Sequence, residues 1–171
     1  MSNASKVSAE DVRALRERTG AGVMDCKSAL DEAGGDMDKA VAILQERGMA
    51  LAEKRGHRET SQGLVECYIH AGGRIGAMVE VNCETDFVAR TPEFKGLAHD
   101  LAMQIAATSP LSVSEDDLPS GAEGDPKQLC LLRQSFIKDE SRTVDEMVKD
   151  VIAKTGENIR VSRFSRFELG Q

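Results

Sequence analysis

Hydrophobic residues in the first fifty positions recur every three or four residues, which predicts three short helices. Ser8 and Asp11 form a capping signature at the start of the first helix, and Gly20 follows its end. Asp36 caps the third helix, which we expect to stop at Gly48. The second helix is expected to pack through one apolar face, formed by Met24, Ala29, Leu30 and Ala33. The first fifty residues are therefore predicted to form a compact helical bundle, marginally stable alone at this size.

A second group of elements follows a polar stretch at 53–62. Residues 64–69 and 75–81 have the pattern of two strands joined in a hairpin by a glycine-rich turn. Thr91 and Pro92 are typical of a helix start, and this helix should lie across the hairpin. Its inward positions are predicted to be Phe94, Leu97, Ala98, Leu101, Ala102 and Ile105.

The rest of the chain is predicted to complete a sheet. Residues 109–125 are acidic and rich in Pro, Ser and Gly, which indicates a surface loop with at most one helical turn. A short helix is expected at 128–134, and a longer one begins at Thr143, with Glu146 as its capping partner, and ends at Gly156. Residues 159–169 form the last strand, in which two Phe residues out of period-two register imply a bulge or an inward-turning end.

These elements predict an α+β fold: an N-terminal three-helix bundle, then a core with a three-stranded antiparallel sheet covered by helices. We place the domain boundaries at 1–54 for the bundle, 55–63 for a linker and 64–171 for the core.

Length, composition and net charge restrict the classes of protein to which this chain can belong. With 171 residues, 40% of them hydrophobic, the chain is long enough to bury a core, and no stretch reaches the roughly 18 apolar residues of a membrane span. Residues 1–6 lack an apolar signal region, and four scattered cysteines fit a reducing compartment, so we expect a cytoplasmic protein. A net charge of −7 argues against direct nucleic-acid binding, although arginines and phenylalanines alternate in the last strand.

The spacing of the residues argues against most of the candidate catalytic and ligand-binding sites. Residues 22–28 end in Lys-Ser like a phosphate-binding loop, but Cys26 stands where that loop needs glycine and no strand precedes it. Cys67, His70 and Cys83 lack the close spacing of zinc ligands, although a thiol or metal enzyme stays an open alternative. We therefore expect no enzyme activity, no cofactor and no metal.

The most informative segment is 80–90, where an apolar alternating stretch ends in Thr85, Asp86, Phe87 and Val88 just before the helix start at Thr91. Aromatic residues make up 4% of the chain, and Phe87 lies at the tip of a strand-to-helix connection. Either Phe87 caps the protein's own core, as most Phe residues do, or it enters a groove of another protein.

Four motifs together resemble the bacterial translation elongation factor Ts family. They are LRERTGAGVMDCKSAL at 15–30, YIHAGGRIG at 68–76, EVNCETDFVAR at 80–90 and GENIRVSRFSRF at 156–167, in the order of that family. The resemblance implies an N-terminal bundle of the ubiquitin-associated type and a guanine nucleotide exchange factor for elongation factor Tu.

In the family, the Asp-Phe pair inserts between helices of the partner's GTP-binding domain, and this pair maps to Asp86 and Phe87, flanked by Thr85 and Val88. The Gly-Val-Met stretch implies second-rank contacts at Val23 and Met24, and the Tyr-Ile-His motif a further one at His70. The segment 109–132 is shorter than is usual in the family, and the second core repeat of longer members is absent. An open sheet and the dimeric short forms of the family together imply a homodimer.

A competing interpretation is a stand-alone interaction module in which the bundle binds ubiquitin-like or peptide ligands and the core is a scaffold. That interpretation leaves the exposed tip at Asp86 and Phe87 without a role.

Overall fold

A computed structural model describes residues 7–170. Residues 1–6, for which we expected no signal region, lie outside the described part, as does Gln171. The predicted bundle is present as α1 (Ala9–Thr19), α2 (Val23–Glu32) and α3 (Met37–Arg55). Ser8 and Asp11 form the predicted capping box, and Gly20 ends α1 at a φ of 70°, a value that glycine adopts without strain.

Two details of the bundle were predicted wrongly. Met24 does not face inward: its side chain is 74% exposed, and Cys26 takes the buried position beside Ala29 and Leu30. The third helix does not stop at Gly48 but continues to Arg55. Gly48 is buried, and a β-carbon built on it would lie 2.8 Å from the Ala153 side chain, so this glycine permits close helix packing rather than ending the helix.

The predicted three-stranded antiparallel sheet consists of β1 (Gln62–Ile69), β2 (Ile75–Cys83) and β5 (Ile159–Glu168), in the order β1-β2-β5. The register between β2 and β5 shifts between Glu80 and Val81, so a bulge is present, but it lies before the two Phe residues on which the prediction rested. Phe164 and Phe167 pair regularly with Val79 and Gly76 and lie on opposite faces of the sheet, and Phe167 does not turn inward. One face of β2 is fully covered, through Ala77, Val79, Val81 and Cys83.

Helices cover that face. α4 (Asp86–Ala89) is a single turn, α5 (Pro92–Thr108) begins at the predicted Thr91 cap, and its six predicted inward residues are all buried. After the loop come α6 (Pro126–Leu129), a 3₁₀ turn at Leu131–Arg133 and α7 (Val144–Thr155), which has the predicted capping box and ends at Gly156. The sequence pattern missed a small hairpin, β3 (Ser135–Phe136) with β4 (Asp139–Thr143).

The bundle and the core meet where the C-terminal half of α3 packs on α7. Ala52 of α3 belongs to the larger hydrophobic cluster, which is otherwise built by the sheet and the helices of the core. The smaller cluster lies inside the bundle around Leu15 and Leu30. Helix α3 therefore crosses residue 54, whereas β1 starts at Gln62; the division into domains at 1–54 and 64–171 with a linker at 55–63 stays a prediction.

Candidate partner-binding site

The turn that follows β2 holds Phe87 out of the core. Phe87 is the second residue of α4, and its side chain is 79% exposed, more than any other large hydrophobic side chain at 7–170. This exposure excludes the alternative in which Phe87 caps the protein's own core. The phenyl ring is therefore available to another molecule.

The residues after Phe87 fix the turn from inside. Val88 is 9% exposed, and both Val88 and Ala89 belong to the main hydrophobic cluster. The Thr91 hydroxyl donates to the Val88 carbonyl at 2.8 Å and accepts from the amide of Phe94, which joins the turn to the start of α5. Phe87 thus points into solvent while the next two residues of the same short helix point into the core, and Val88 supports the turn rather than extending its exposed surface.

Thr85 caps the turn and is held by a distant carboxylate. Its backbone amide donates to Glu157 Oε2 at 2.9 Å, and its hydroxyl donates to Glu157 Oε1 at 2.6 Å. The same hydroxyl oxygen accepts from the Val88 amide at 3.5 Å. The side chain of Thr85 is therefore occupied within the protein itself.

An ion pair lies on the same turn as the exposed ring of Phe87. Asp86 pairs with Arg90 one turn later, at 2.7 Å, and both side chains remain open to solvent.

Beneath the turn, the Cys83 thiol donates to the Thr85 carbonyl. Burial, with the nearby negative charge of Glu157, raises the pKa of Cys83 to about 11, so this thiol stays protonated at neutral pH and is unsuited to nucleophilic or metal chemistry.

A second exposed apolar surface lies at the start of α2. Gly22 is the N-cap of this helix, and Val23 and Met24 form its first turn with exposed side chains. Residues 22–28 are thus a helix start without a preceding strand, which agrees with the rejection of a phosphate-binding loop.

His70 lies at the far end of β1, in the hairpin turn. Its Nδ1 is 3.1 Å from the Tyr68 hydroxyl, and its backbone amide donates to the Ile75 carbonyl. Tyr68 also contacts the ring of His99 on α5, so it links the hairpin to the covering helix.

The cysteines and histidines do not come together as metal ligands in the described part of the chain. Within residues 7–170 no group of His, Cys, Asp and Glu side chains is arranged to hold a metal ion, and Cys67 is exposed whereas Cys83 is buried. No helix in the same range is long and apolar enough to cross a membrane.

Glu157 was missed by the sequence reasoning. It lies 72 positions after Thr85, just past the glycine that ends α7, and no periodicity joins the two residues. The one feature of the sequence that could have indicated Glu157 is its place near the start of the fourth motif, between the glycine that ends the helix and an asparagine.

Together these features define an α+β protein with an N-terminal three-helix bundle and with exposed apolar side chains on the turn at Phe87 and, separately, at the start of α2. Residues 29–124 match the family model described as Elongation factor TS. Elongation factor Ts of Moorella thermoacetica is 48% identical over 195 residues, covering 96% of each chain. That of Thermotoga petrophila is 45% identical over 194 residues, covering 97% of this chain and 98% of its own.

Elongation factor Ts of Heliobacterium modesticaldum is 49% identical over 195 residues, covering 96% of this chain and 91% of its own. The chain belongs to the elongation factor Ts family of translation elongation factors. These alignments are longer than the 171 residues of this chain, so the relatives contain internal residues that it lacks.

Proposed function

We propose that this protein is a guanine nucleotide exchange factor, which binds elongation factor Tu in its GDP form and promotes GDP release during translation elongation. The observation that carries the proposal is the exposed Phe87 on a turn that hydrogen bonds and buried neighbours hold in place. Family membership supports elongation factor Tu as the partner.

The pair Asp86 and Phe87 inserts between helices of the partner's GTP-binding domain. Burying a phenyl ring that is exposed in the unbound protein contributes about 1.5–3 kcal/mol of apolar transfer free energy. The Asp86 carboxylate displaces or repels groups at the insertion site, a role that follows from its charge and its place beside the ring. Thr85 and Val88, predicted as contacts, hold the pair in position, because Thr85 is engaged by Glu157 and Val88 is buried.

Exchange follows from thermodynamic linkage. This protein binds most tightly to a state of the partner whose magnesium and phosphate site is disturbed, so it weakens the partner's affinity for GDP by the reciprocal factor. No bond of the nucleotide is made or broken, and the magnesium ion belongs to the partner. The protein is therefore not an enzyme in the covalent sense and uses no cofactor of its own.

Val23 and Met24 form a second contact with the same partner domain, and His70 forms a weaker third one. The exposed, adjacent side chains at the start of α2 support the second contact, since clustered apolar residues on a surface mark interaction sites. We place this activity in the cytoplasm, where translation proceeds, without direct contact to nucleic acid or membrane.

We also propose a homodimer that forms through the uncovered face of the sheet. Four large apolar side chains lie exposed on it: Val65, Ile69, Met78 and Phe167. Gly76 separates Ile69 from Phe167 across the strands, which leaves a cleft of about 490 Å³. Sedimentation equilibrium at micromolar concentration should give twice the protomer mass, and Phe167→Asp should halve it; a monomeric wild type rejects the dimer.

The exchange function is tested by release of a fluorescent GDP analogue from elongation factor Tu with catalytic amounts of this protein. Wild type should accelerate release, and Phe87→Ala should lose about 2 kcal/mol of transition-state binding, which is a factor of about 30 in kcat/KM. A folded wild type without any acceleration rejects the proposed function. The module interpretation would then be favoured if residues 64–171 proved dispensable for binding.

A further inference from the structure

The loop between α7 and β5 holds the turn at Phe87 from below. The two oxygens of Glu157 each accept one hydrogen bond from Thr85, one from the backbone amide and one from the hydroxyl. Bonds to an ionised carboxylate are shorter and stronger than bonds between neutral groups. Within residues 7–170, Glu157 is the only residue distant in sequence that hydrogen-bonds to any residue of 85–89.

The turn depends on such outside support. A helix of four residues is too short to be stable alone, because the conformational entropy lost in forming the first turn exceeds the stabilisation from its hydrogen bonds. The cap bond inside the turn, from the Val88 amide to the Thr85 hydroxyl oxygen, is long at 3.5 Å. Thr85 is the N-cap of the turn, so a contact that fixes Thr85 also restrains the backbone that carries Phe87.

Glu157 is itself firmly placed. Gly156 before it ends α7 in the left-handed conformation, at a φ of 76°, and packs beside the Arg55 guanidinium at the end of α3. Asn158 after it donates its backbone amide to Glu84 at 2.7 Å and its side-chain amide to the Arg58 carbonyl at 2.8 Å. The loop therefore joins the end of α3, the chain after it and the strand end before Thr85.

We propose that Glu157 is a positioning residue for nucleotide exchange: its carboxylate holds Thr85, so that Phe87 is presented in its binding orientation before the partner arrives. This inference rests on the proposed function. Without the carboxylate, the turn samples other conformations, and the fraction competent to bind falls. The apparent affinity falls by that same fraction, whereas the bound complex, once formed, holds the turn in place.

The test measures GDP release from elongation factor Tu over a range of its concentration. Glu157→Ala should raise KM about tenfold with kcat changed by less than about twofold, because only the unbound turn is loosened. A variant that merely unfolds in part would show the opposite: a lower kcat from fewer active molecules and an unchanged KM. That opposite result, or wild-type kinetics, overturns the proposal.

Glu146→Ala is the matched control. At the other end of α7, Glu146 Oε2 accepts from the amide and the hydroxyl of Thr143, at 2.7 and 3.1 Å, so the substitution removes the same two kinds of bond. It should lower stability while leaving KM unchanged. Thr85→Val and Glu157→Ala should together be less harmful than the sum of their separate effects, since both remove the bond from the Thr85 hydroxyl to the carboxylate, although Thr85→Val also removes the cap on the Val88 amide. Additive losses contradict the shared role.

A measurement on this protein alone, without elongation factor Tu, tests the positioning role of Glu157 separately from the proposed exchange function. The chain contains no Trp, so Phe87→Trp provides a single reporter on the turn. Adding Glu157→Ala should lower its fluorescence anisotropy, and adding Glu146→Ala should not. Unchanged anisotropy in both overturns the positioning role even if exchange is seen, whereas a wild type that fails to release GDP overturns the proposed function alone.

Discussion

Substitution of Gly48 by alanine tests how tightly the bundle is held to the core. Gly48 lies inside α3, and alanine is favoured over glycine there by about 0.8–1.0 kcal/mol of helix propensity. The new β-carbon would lie 2.8 Å from the Ala153 side chain, whereas carbon atoms prefer about 3.5–4.0 Å. The two helices must separate, and overpacking of this kind costs about 1–3 kcal/mol.

The sum of the two effects is a loss of up to about 2 kcal/mol in the free energy of unfolding. Gly96→Ala is the matched control, because Gly96 lies inside α5 and a β-carbon added there would have no neighbouring atom within 4 Å. There only the propensity acts, so a gain of about 1 kcal/mol is expected. Urea unfolding followed by circular dichroism measures both variants.

Opposite signs for the same substitution would support the close contact between α3 and α7. The reasoning is refuted if Gly48→Ala stabilises the protein as much as Gly96→Ala does, because the helices would then have room for the methyl group. Ala153→Gly in the Gly48→Ala background gives a further check. Ala153→Gly removes the methyl group with which the new β-carbon would clash, so the double variant should lose less unfolding free energy than the sum of the two single variants.

Four further predictions concern stability and reactivity. Phe87→Ala should change the unfolding free energy by less than about 0.5 kcal/mol, whereas Phe94→Ala, fully buried, should cost about 3–5 kcal/mol in urea unfolding. A thiol reagent should modify Cys67 rapidly in the native protein and the three buried cysteines only on unfolding, as counted by absorbance; rapid labelling of a second thiol would contradict this burial. Gln104→Met should lower the unfolding free energy by about 1–3 kcal/mol, because it leaves the Ile137 amide without its acceptor; an unchanged midpoint would contradict that contact. Backbone bonds from the start of α3, first that of Lys39, lower the pKa of Asp36, so its stabilising contribution is present above about pH 4 and is lost as pH falls; unfolding of Asp36→Ala should depend less on pH there.

Elements with strong local signals could be predicted from the sequence. The caps at Ser8, Thr91 and Thr143, followed by Asp11, Pro92 and Glu146 respectively, placed three helix starts correctly, because capping is a short-range interaction between a side chain and nearby amides. The alternating strands likewise gave the hairpin and the final strand.

Errors arose where tertiary contacts outweigh local preference. Gly48 has the local signature of a helix end, but its place against Ala153 makes it a packing position. The error at Met24 is one of spacing: it lies five, six and nine positions before Ala29, Leu30 and Ala33, which places it on the opposite side of α2. Cys26 precedes the same residues by three, four and seven positions and is the buried one. The β3–β4 hairpin is docked by Gln104, whose buried side-chain amide contacts residues some thirty positions away, and no periodicity reveals such a contact.

For the candidate site, the sequence located the turn but not its support. An exposed phenylalanine is not unusual in itself, since much of any protein surface is apolar. What distinguishes Phe87 is the order around it: buried Val88 after it, Thr85 before it, and a carboxylate from a remote loop below. Immobilising one rotamer-rich side chain on binding costs about 0.5–1.5 kcal/mol, and flexible backbone adds to that cost. A ring on a turn ordered in advance retains more of its burial energy in the complex, which is why the support at Glu157 bears on affinity although it lies beneath the surface that the partner meets.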